Sequence, residues 1–452
     1  MALTRNRTWR GALGVLALAL IGTACAGDNP VAPNNDGGTD NGGIANGETG
    51  RLVRASRSRP LAARVGTVLS DRPTVRVSDE AGQPLAGVTV HFRVVNGGGQ
   101  LTDAVVTTDA HGLARLGRWT LGGAPGANVL RARVDRTELV DSIDFEADAV
   151  THPAGTLGPR IDLPGGPFSV AFSRKGLAMV TRHYVDLLSA IDLESNTVIG
   201  SIATGRDPVE VAFDWDGNNA FVTHQFNQNV GVSVVTLGGR PDEGTWASST
   251  ATSAIAVGGD PWRIKPNPDY SRLFVTSNVG IITEIDPTKK KAVASYNYGV
   301  PVNGVAFHPN DTLVYFTAKT AGKLFELNRW TGDSRELTIG GFPQEVVLSP
   351  DASEMYVADE TGNALHVRNT ATGAAIATVP VGGPAFGVAM SPDSAQLYVT
   401  LSQAGKVVVV DRAARSVVKT IETGGVPRRV AFNRFGTLAI IPNESGWIDI
   451  VR

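Results

Sequence analysis

An apolar triplet recurs seven times in the carboxy-terminal two thirds of the chain, and that repetition limits the possible folds more than any other feature. Val170-Ala171-Phe172, Val211-Ala212-Phe213, Ile264-Lys265-Pro266, Val305-Ala306-Phe307, Val346-Val347-Leu348, Val388-Ala389-Met390 and Val430-Ala431-Phe432 follow one another at spacings of 41, 53, 41, 41, 42 and 42 residues. A glycine–proline turn usually comes just before, as in Gly166-Pro167, Gly341-Phe342-Pro343 and Gly383-Pro384. The clearest unit, residues 388–425, predicts further strands over 396–400, 407–411 and 417–421. Four short strands in about forty residues is the arithmetic of a propeller blade. A β-helix needs far shorter coils, and a helical solenoid needs a 3.6-residue period that is absent.

The last unit stops at Trp447-Ile448-Asp449-Ile450-Val451, without a fourth strand. Residues 156–163 parallel the outer strand of the unit two before it, since both precede Gly-Gly-Pro. They are expected to complete the last blade and so remove an unpaired edge. The second unit carries about twelve extra residues around Arg240–Trp246. Leu397-Tyr398-Val399-Thr400 and Met355-Tyr356-Val357-Ala358, each after Ser-Pro-Asp, resemble the YVTN repeat of surface-layer and periplasmic propellers. Phe221-Val222-Thr223 and Phe274-Val275-Thr276 replace the tyrosine. The resemblance implies a seven-bladed β-propeller over 153–452. It implies no chemistry, because propellers host binding proteins, hydrolases and redox enzymes alike.

Upstream, residues 52–150 alternate apolar and polar side chains in short runs such as Val88-Thr89-Val90-His91-Phe92-Arg93-Val94. Turn clusters at Asp79–Gly82, Gly97–Gly99 and Asp109–Gly112 separate them, which argues a β-sandwich. The pattern formed by Asp79, Gly82, Pro84, Gly87, Val88, Val90 and Phe92, with Thr108, Asp109, Gly112 and Ala114 after it, resembles the group-one bacterial immunoglobulin-like domain of invasin- and intimin-type adhesins. That resemblance implies a rigid spacer and, less often, a receptor-binding module. The fold class expected is therefore all-β: an immunoglobulin-like β-sandwich followed by a seven-bladed propeller.

Residues 1–24 read as an export signal, with Arg5, Arg7 and Arg10 ahead of an apolar run from Gly11 to Gly22 too short to span a bilayer. Cys25 follows directly in a string that resembles the lipobox of bacterial lipoproteins, although Gly22 stands where a larger apolar residue is usual. The resemblance implies lipidation at Cys25, and plain cleavage near Ala24 is the rival outcome. Residues 25–51, rich in Gly, Asn, Asp and Pro, predict a flexible tether. Lys plus Arg number 41 and Asp plus Glu 43, so the net charge of −2 argues against nucleic acid as a partner. With one cysteine there is neither an intramolecular disulfide nor a thiolate zinc cluster.

The channel mouth is the expected site. Inner-strand starts and the loops joining second to third strands share one face of a propeller. The positions just before each triplet place Phe168, Glu210, Trp262, Arg263, Asn303, Glu345, Phe386, Arg428 and Arg429 there. One reading makes a pocket, with Phe168, Trp262 and Phe386 giving apolar contact and the arginines taking an anionic or hydroxyl-rich group. The other has Glu210 and Glu345 pair with the arginines on a solvated surface. His183 and His224 fall at equivalent loop positions of adjacent blades, which suggests a metal or acid–base pair or, more simply, two surface histidines. His308 and His366 do not extend such a ring. Asp214-Trp215-Asp216-Gly217-Asn218 reads as a β-turn because it lacks the glutamate that ends a calcium loop.

No nucleophile elbow, HExxH, P-loop or haem-attachment motif occurs, so no catalytic residue and no cofactor is assigned. The expected function is recognition: an exported, lipid-anchored envelope protein whose propeller binds a protein or polysaccharide. A lactonase or lyase at the channel mouth is the alternative. A structural lattice component is a third reading.

Overall fold

The computed structural model describes residues 51–56, 61–134, 142–225, 231–238 and 250–452, with backbone alone at 250–253. The expected export signal over 1–24, Cys25, the expected tether except Arg51, and the extra residues around 240–246 lie outside the described residues. Among those described there is no α-helix, only strands and short 3₁₀ turns.

The seven triplets lie on or beside the inner strands of seven antiparallel four-stranded sheets, arranged as a β-propeller. Blades 1 to 6 run over 167–203, 208–255, 261–297, 305–338, 343–380 and 387–422. Blade 7 takes its inner three strands from Ala431–Phe432, Ala439–Asn443 and Trp447–Val451. Its outer strand is Leu157–Asp162, antiparallel to Trp447–Val451 with Ile161 opposite Ile448. The edge left by the last repeat is thus paired by the segment that precedes the first.

Each blade buries one face against the next, and the core consists of such seams. Met179, Val211, Phe213 and Val222 fill the seam between blades 1 and 2. Tyr315, Leu324, Val346 and Val357 fill that between blades 4 and 5. The ring closes through Ile161, Leu163, Val180, Ile440, Ile448 and Ile450 between blades 7 and 1. The aromatic of the repeat string is a seam residue, which is why phenylalanine substitutes for tyrosine at 221 and 274, both fully buried.

The threonine of the same string stitches blades together. The Thr317 hydroxyl accepts from the Gly304 backbone N–H at 2.7 Å and donates to the Gln344 carbonyl of the next blade at 3.1 Å. Thr181 reaches Val209, Thr223 reaches Trp262, Thr276 reaches Asn303 and Thr400 reaches Arg428 in the same way. Ala358 and Pro442 occupy this position in blades 5 and 7. Inner strands lack lateral hydrogen bonds to the neighbouring blade, so the hydroxyl satisfies two backbone groups that burial leaves without water. Thr317→Val is expected to destabilise the protein by about 2–6 kcal/mol in urea denaturation, two unmet buried groups at about 1–3 each, while Thr317→Ser retains most of the stability.

The sandwich places Arg51–Arg54, Thr74–Ser78 and Leu113–Arg115 in one sheet. Leu61–Arg64, Ser142–Val150, Gly126–Val134, Thr89–Asn96 and Val105–Thr107 form the other. Val75, Val90, Phe92, Leu116, Trp119 and Leu130 are buried between them. The turn motif has a physical basis: Asp109 Oδ1 accepts from the His111 and Leu113 N–H groups, and Gly112 is left-handed with a φ of 71°. A Cβ there would lie 2.4 Å from the Val77 carbonyl oxygen.

The last sandwich strand runs directly onto the propeller. The Thr151 N–H donates to the Phe435 carbonyl at 3.0 Å, and Arg434 holds Asp148 through two bonds of 2.7 and 2.8 Å. His152 Nδ1 lies 2.7 Å from Oδ2 of the buried Asp393. Arg434, Phe435 and Asp393 all sit in turns between first and second strands, where inner strands end. The sandwich is therefore held on that face, called here the trailing face.

Candidate functional site

Antiparallel pairing sets Pro167 opposite Arg182, Pro208 opposite His224, Pro261 opposite Ser277 and Pro343 opposite Asp359. Inner-strand starts and the loops after second strands therefore share the opposite, leading face. All of the sequence-derived candidates except Cys25 fall at or beneath this face.

They form two levels. At the upper level Phe168, Val209, Trp262 and Phe386 make one apolar cluster. Phe168 meets Trp262 edge-on at 5.6 Å and Phe386 edge-on at 6.2 Å. Their relative exposures are only 5, 8 and 6%. The three rings plug the mouth instead of lining an open pocket, because aromatic side chains entering a narrow ring bury more area against one another than against water. The Asn303 amide oxygen, correctly oriented, accepts from Trp262 Nε1 at 3.1 Å and Lys319 Nζ at 3.2 Å. Arg428 stacks over Phe386 at 4.9 Å and pairs with Glu444, which also accepts from the Tyr184 hydroxyl.

The lower level is charged and buried. Arg263, Glu345 and Arg429 are 3, 1 and 4% exposed, and Glu210 is 7% exposed. Glu345 holds Arg263 and Lys265 (3.0 Å) on one oxygen and Arg429 (2.5 Å) on the other, while Glu210 lies 2.6 Å from Arg263. Burial, reinforced by Arg429, pushes Arg263 down to about 9. Burial likewise takes Arg429 to about 10, with Arg428 adding to the fall and Glu210 opposing it. Of the two sequence readings, the carboxylate–arginine pairing describes Arg263 and Arg429, but in the interior and not on a solvated surface. Neither arginine is presented at the mouth.

Lys265 escaped the sequence reading. Side chains alternate along a strand, so the residue one before each triplet shares the channel face with the triplet's middle residue. The middle residue is alanine or valine in the other six repeats, and the lysine was the available signal.

The histidines separate. His183 borders the plug, its ring 5.8 Å from Phe168. His224 is fully buried, with Nδ1 3.0 Å from the Arg206 carbonyl and Nε2 2.8 Å from Ser233 Oγ. Burial holds its pKa below the ordinary value, although the backbone contacts at Arg206 and Gly205 oppose the shift. It is neither a surface histidine nor a free ligand. Its ring fastens the loop ahead of blade 2, as Asn443 fastens that ahead of blade 7 by accepting from Val426 N–H at 2.7 Å. Among the described residues no three His, Cys, Asp or Glu side chains are grouped to hold a metal. The Asp214 turn is a β-turn, its carboxylate accepting from the Asn218 and Asn219 N–H groups.

What remains open to solvent on the leading face is its loop tips. Tyr184, Val185 and Val279 are 63, 42 and 47% exposed, all in loops after second strands. Lys319, Glu360, Arg428 and Glu444 supply charge on the same face.

No family profile and no curated protein matches the chain. Solved structures do. A hydrazine synthase chain from Kuenenia stuttgartiensis superposes with a TM-score of 0.56 at 20% identity, covering 67% of this chain and 99% of that one. A virginiamycin B lyase from Staphylococcus aureus superposes at 0.54 and 15% identity, covering 66% of this chain and 99% of that one. At these identities the likeness is one of fold: the chain shares the β-propeller of both.

Proposed function

We propose that the protein is an exported, lipid-anchored recognition module whose leading propeller face binds a protein or polysaccharide of the cell envelope. The observation that carries this reading is the division of the propeller's two faces. The sandwich is fastened to the trailing face through Asp148, Thr151 and His152. The leading face is left to solvent, with apolar loop tips amid charge, the composition of an interface patch. The sandwich then serves as the spacer that its resemblance to adhesin domains implies, with Cys25 as the membrane attachment.

An enzyme of the lyase or lactonase type is the less favoured reading. The rings at the mouth pack on one another, and His183 and His224 have been drawn to separate tasks. The solved lyase of the same fold lends no weight at 15% identity.

The test uses exposed positions, since Trp262, Arg263 and Arg429 are buried. Tyr184→Ala with Val279→Asp is expected to abolish capture of the partner from solubilised envelope while leaving stability within about 0.5 kcal/mol. Capture unaffected by both substitutions would move recognition off this face.

A further inference from the structure

The sandwich carries a small third sheet beside its two main ones, Gln100–Thr102 paired with Arg118–Thr120 and Thr102 opposite Arg118. The chain at 68–69 runs along it: Val68 is bridged to Thr120, and the Leu69 N–H donates to the Trp119 carbonyl at 2.8 Å. Here the structure opens a cleft of about 480 Å³, lined by Val68, Ser70, Arg72, Thr102, Asp103 and Arg118, with the buried Leu69 as its apolar floor. Ligand sites usually measure about 300–1,000 Å³.

The polar groups of this cleft are accessible and uncommitted. Ser70, Arg72, Thr102, Asp103 and Arg118 are all exposed. Gly117 also lines the cleft, and it is not left-handed. Its small size has another use: a Cβ there would lie 2.3 Å from Asp103 Oδ2 and 2.6 Å from Thr102 Oγ1. The glycine therefore admits a carboxylate and a hydroxyl side by side at the cleft wall. Next to it the Arg72 Nε–H donates to the Leu116 carbonyl at 2.8 Å, which orients the guanidinium and leaves its terminal amino groups unspent. Asp103 and Arg118 share the cleft without pairing. Among the described residues neither side chain has a hydrogen-bond or ion-pair partner.

We propose that this cleft binds an acidic polysaccharide, one uronic acid unit of which lies between Arg118 and Asp103. The donor set selects the class. The guanidinium edges of Arg72 and Arg118 match the two oxygens of a carboxylate. Asp103 accepts from hydroxyls on neighbouring ring carbons, and Ser70 and Thr102 extend the same pattern. Val68, 47% exposed, offers its methyl groups to the C–H face of the ring. Enclosure is what a free small acid would need, whereas a cleft whose polar residues are all exposed admits one unit of a longer chain. The site belongs to the sandwich and adds a binding task to the spacer. It does not rest on the reading of the propeller's leading face.

The probe is tetragalacturonate, a linear uronic acid oligomer, titrated calorimetrically into the full chain beside its neutral counterpart cellotetraose. Saturable binding is expected for the acidic oligomer, and binding weaker by roughly tenfold or more for the neutral one, which lacks the charge-assisted bonds. Arg118→Gln is expected to weaken the acidic oligomer by roughly tenfold, and Asp103→Asn to weaken it as well. Both residues are exposed and without partners, so the urea midpoint should not move. Val68→Trp keeps every polar group but fills the cleft, and is expected to abolish binding. Arg93→Gln, exposed on the sandwich outside the cleft, is expected to leave the affinity unchanged. Absence of saturable binding by the unaltered chain would overturn the proposal. So would equal affinity for cellotetraose, binding that survives Arg118→Gln or Val68→Trp, or a loss at Arg93→Gln equal to that at Arg118→Gln.

Discussion

Glu345→Gln is expected to destabilise the protein by about 3–5 kcal/mol, the usual cost of leaving buried charge without its partner. Glu345 is the hub of the channel cluster. It is 1% exposed and holds Arg263, Lys265 and Arg429 at once. Glutamine keeps the volume and removes the charge, so three cations would be left with Glu210 alone. Chemical denaturation measures the loss, which should persist at high salt because mobile ions screen buried pairs weakly. Adding Arg429→Gln to the first substitution should recover part of the stability, with a coupling of about 1 kcal/mol or more between the two sites. A single-variant loss below about 1 kcal/mol would mean that the cluster is solvated and that its charges do not organise the channel.

Ile161→Asp is expected to be at least as damaging, by about 3–5 kcal/mol or outright loss of the folded state. Ile161 is 6% exposed in the seam that closes the ring, beside Ile440, Ile448 and Ile450. A carboxylate in that apolar seam must be desolvated or must pull the closing strand away. The second outcome strips the edge Trp447–Val451 of its partner and leaves an open sheet prone to pair with another copy. Hydrogen exchange reads this directly: protection should vanish first along Trp447–Val451 and then in blade 1. If those amides stay protected as long as the amides of blade 5, Leu157–Asp162 is not what closes the ring.

The propeller was legible in the sequence because its period is a local and repeated fact. Each blade must pass the same strand through the same seam, so the triplet, the turn before it and the aromatic–Val–Thr string recur at nearly constant spacing. The physical role of that string was not legible. Thr317 bonds to Gln344 of another blade, and no property of either residue alone announces the contact. The site was legible in part for the same reason. Counting back from each triplet found Phe168, Trp262 and Phe386, and the structure brings their rings together. It could not show whether the rings face water or one another, which depends on the radius of the closed ring. The salt bridges between Arg263 and Glu345, 82 residues apart, and between Arg429 and Glu345, 84 apart, are set by closure and not by local pattern. Lys265 was missed because spacing placed it within an apolar triplet, where its charge looked like an irregularity. His224 misled for the opposite reason: a loop position in the repeat is also where the next loop must be fastened, and a buried imidazole serves that purpose.

The central claim, that the leading face is the recognition surface, is tested most directly by photocross-linking in the intact envelope. A photoreactive side chain at Val279, on the leading face, is compared with one at Trp330, which is 70% exposed in the turn between the third and fourth strands of blade 4 and so on the trailing side. The account predicts one discrete adduct from position 279, lost when Tyr184 is replaced by alanine, and none from position 330. An adduct that forms from position 330 and not from position 279 would contradict it.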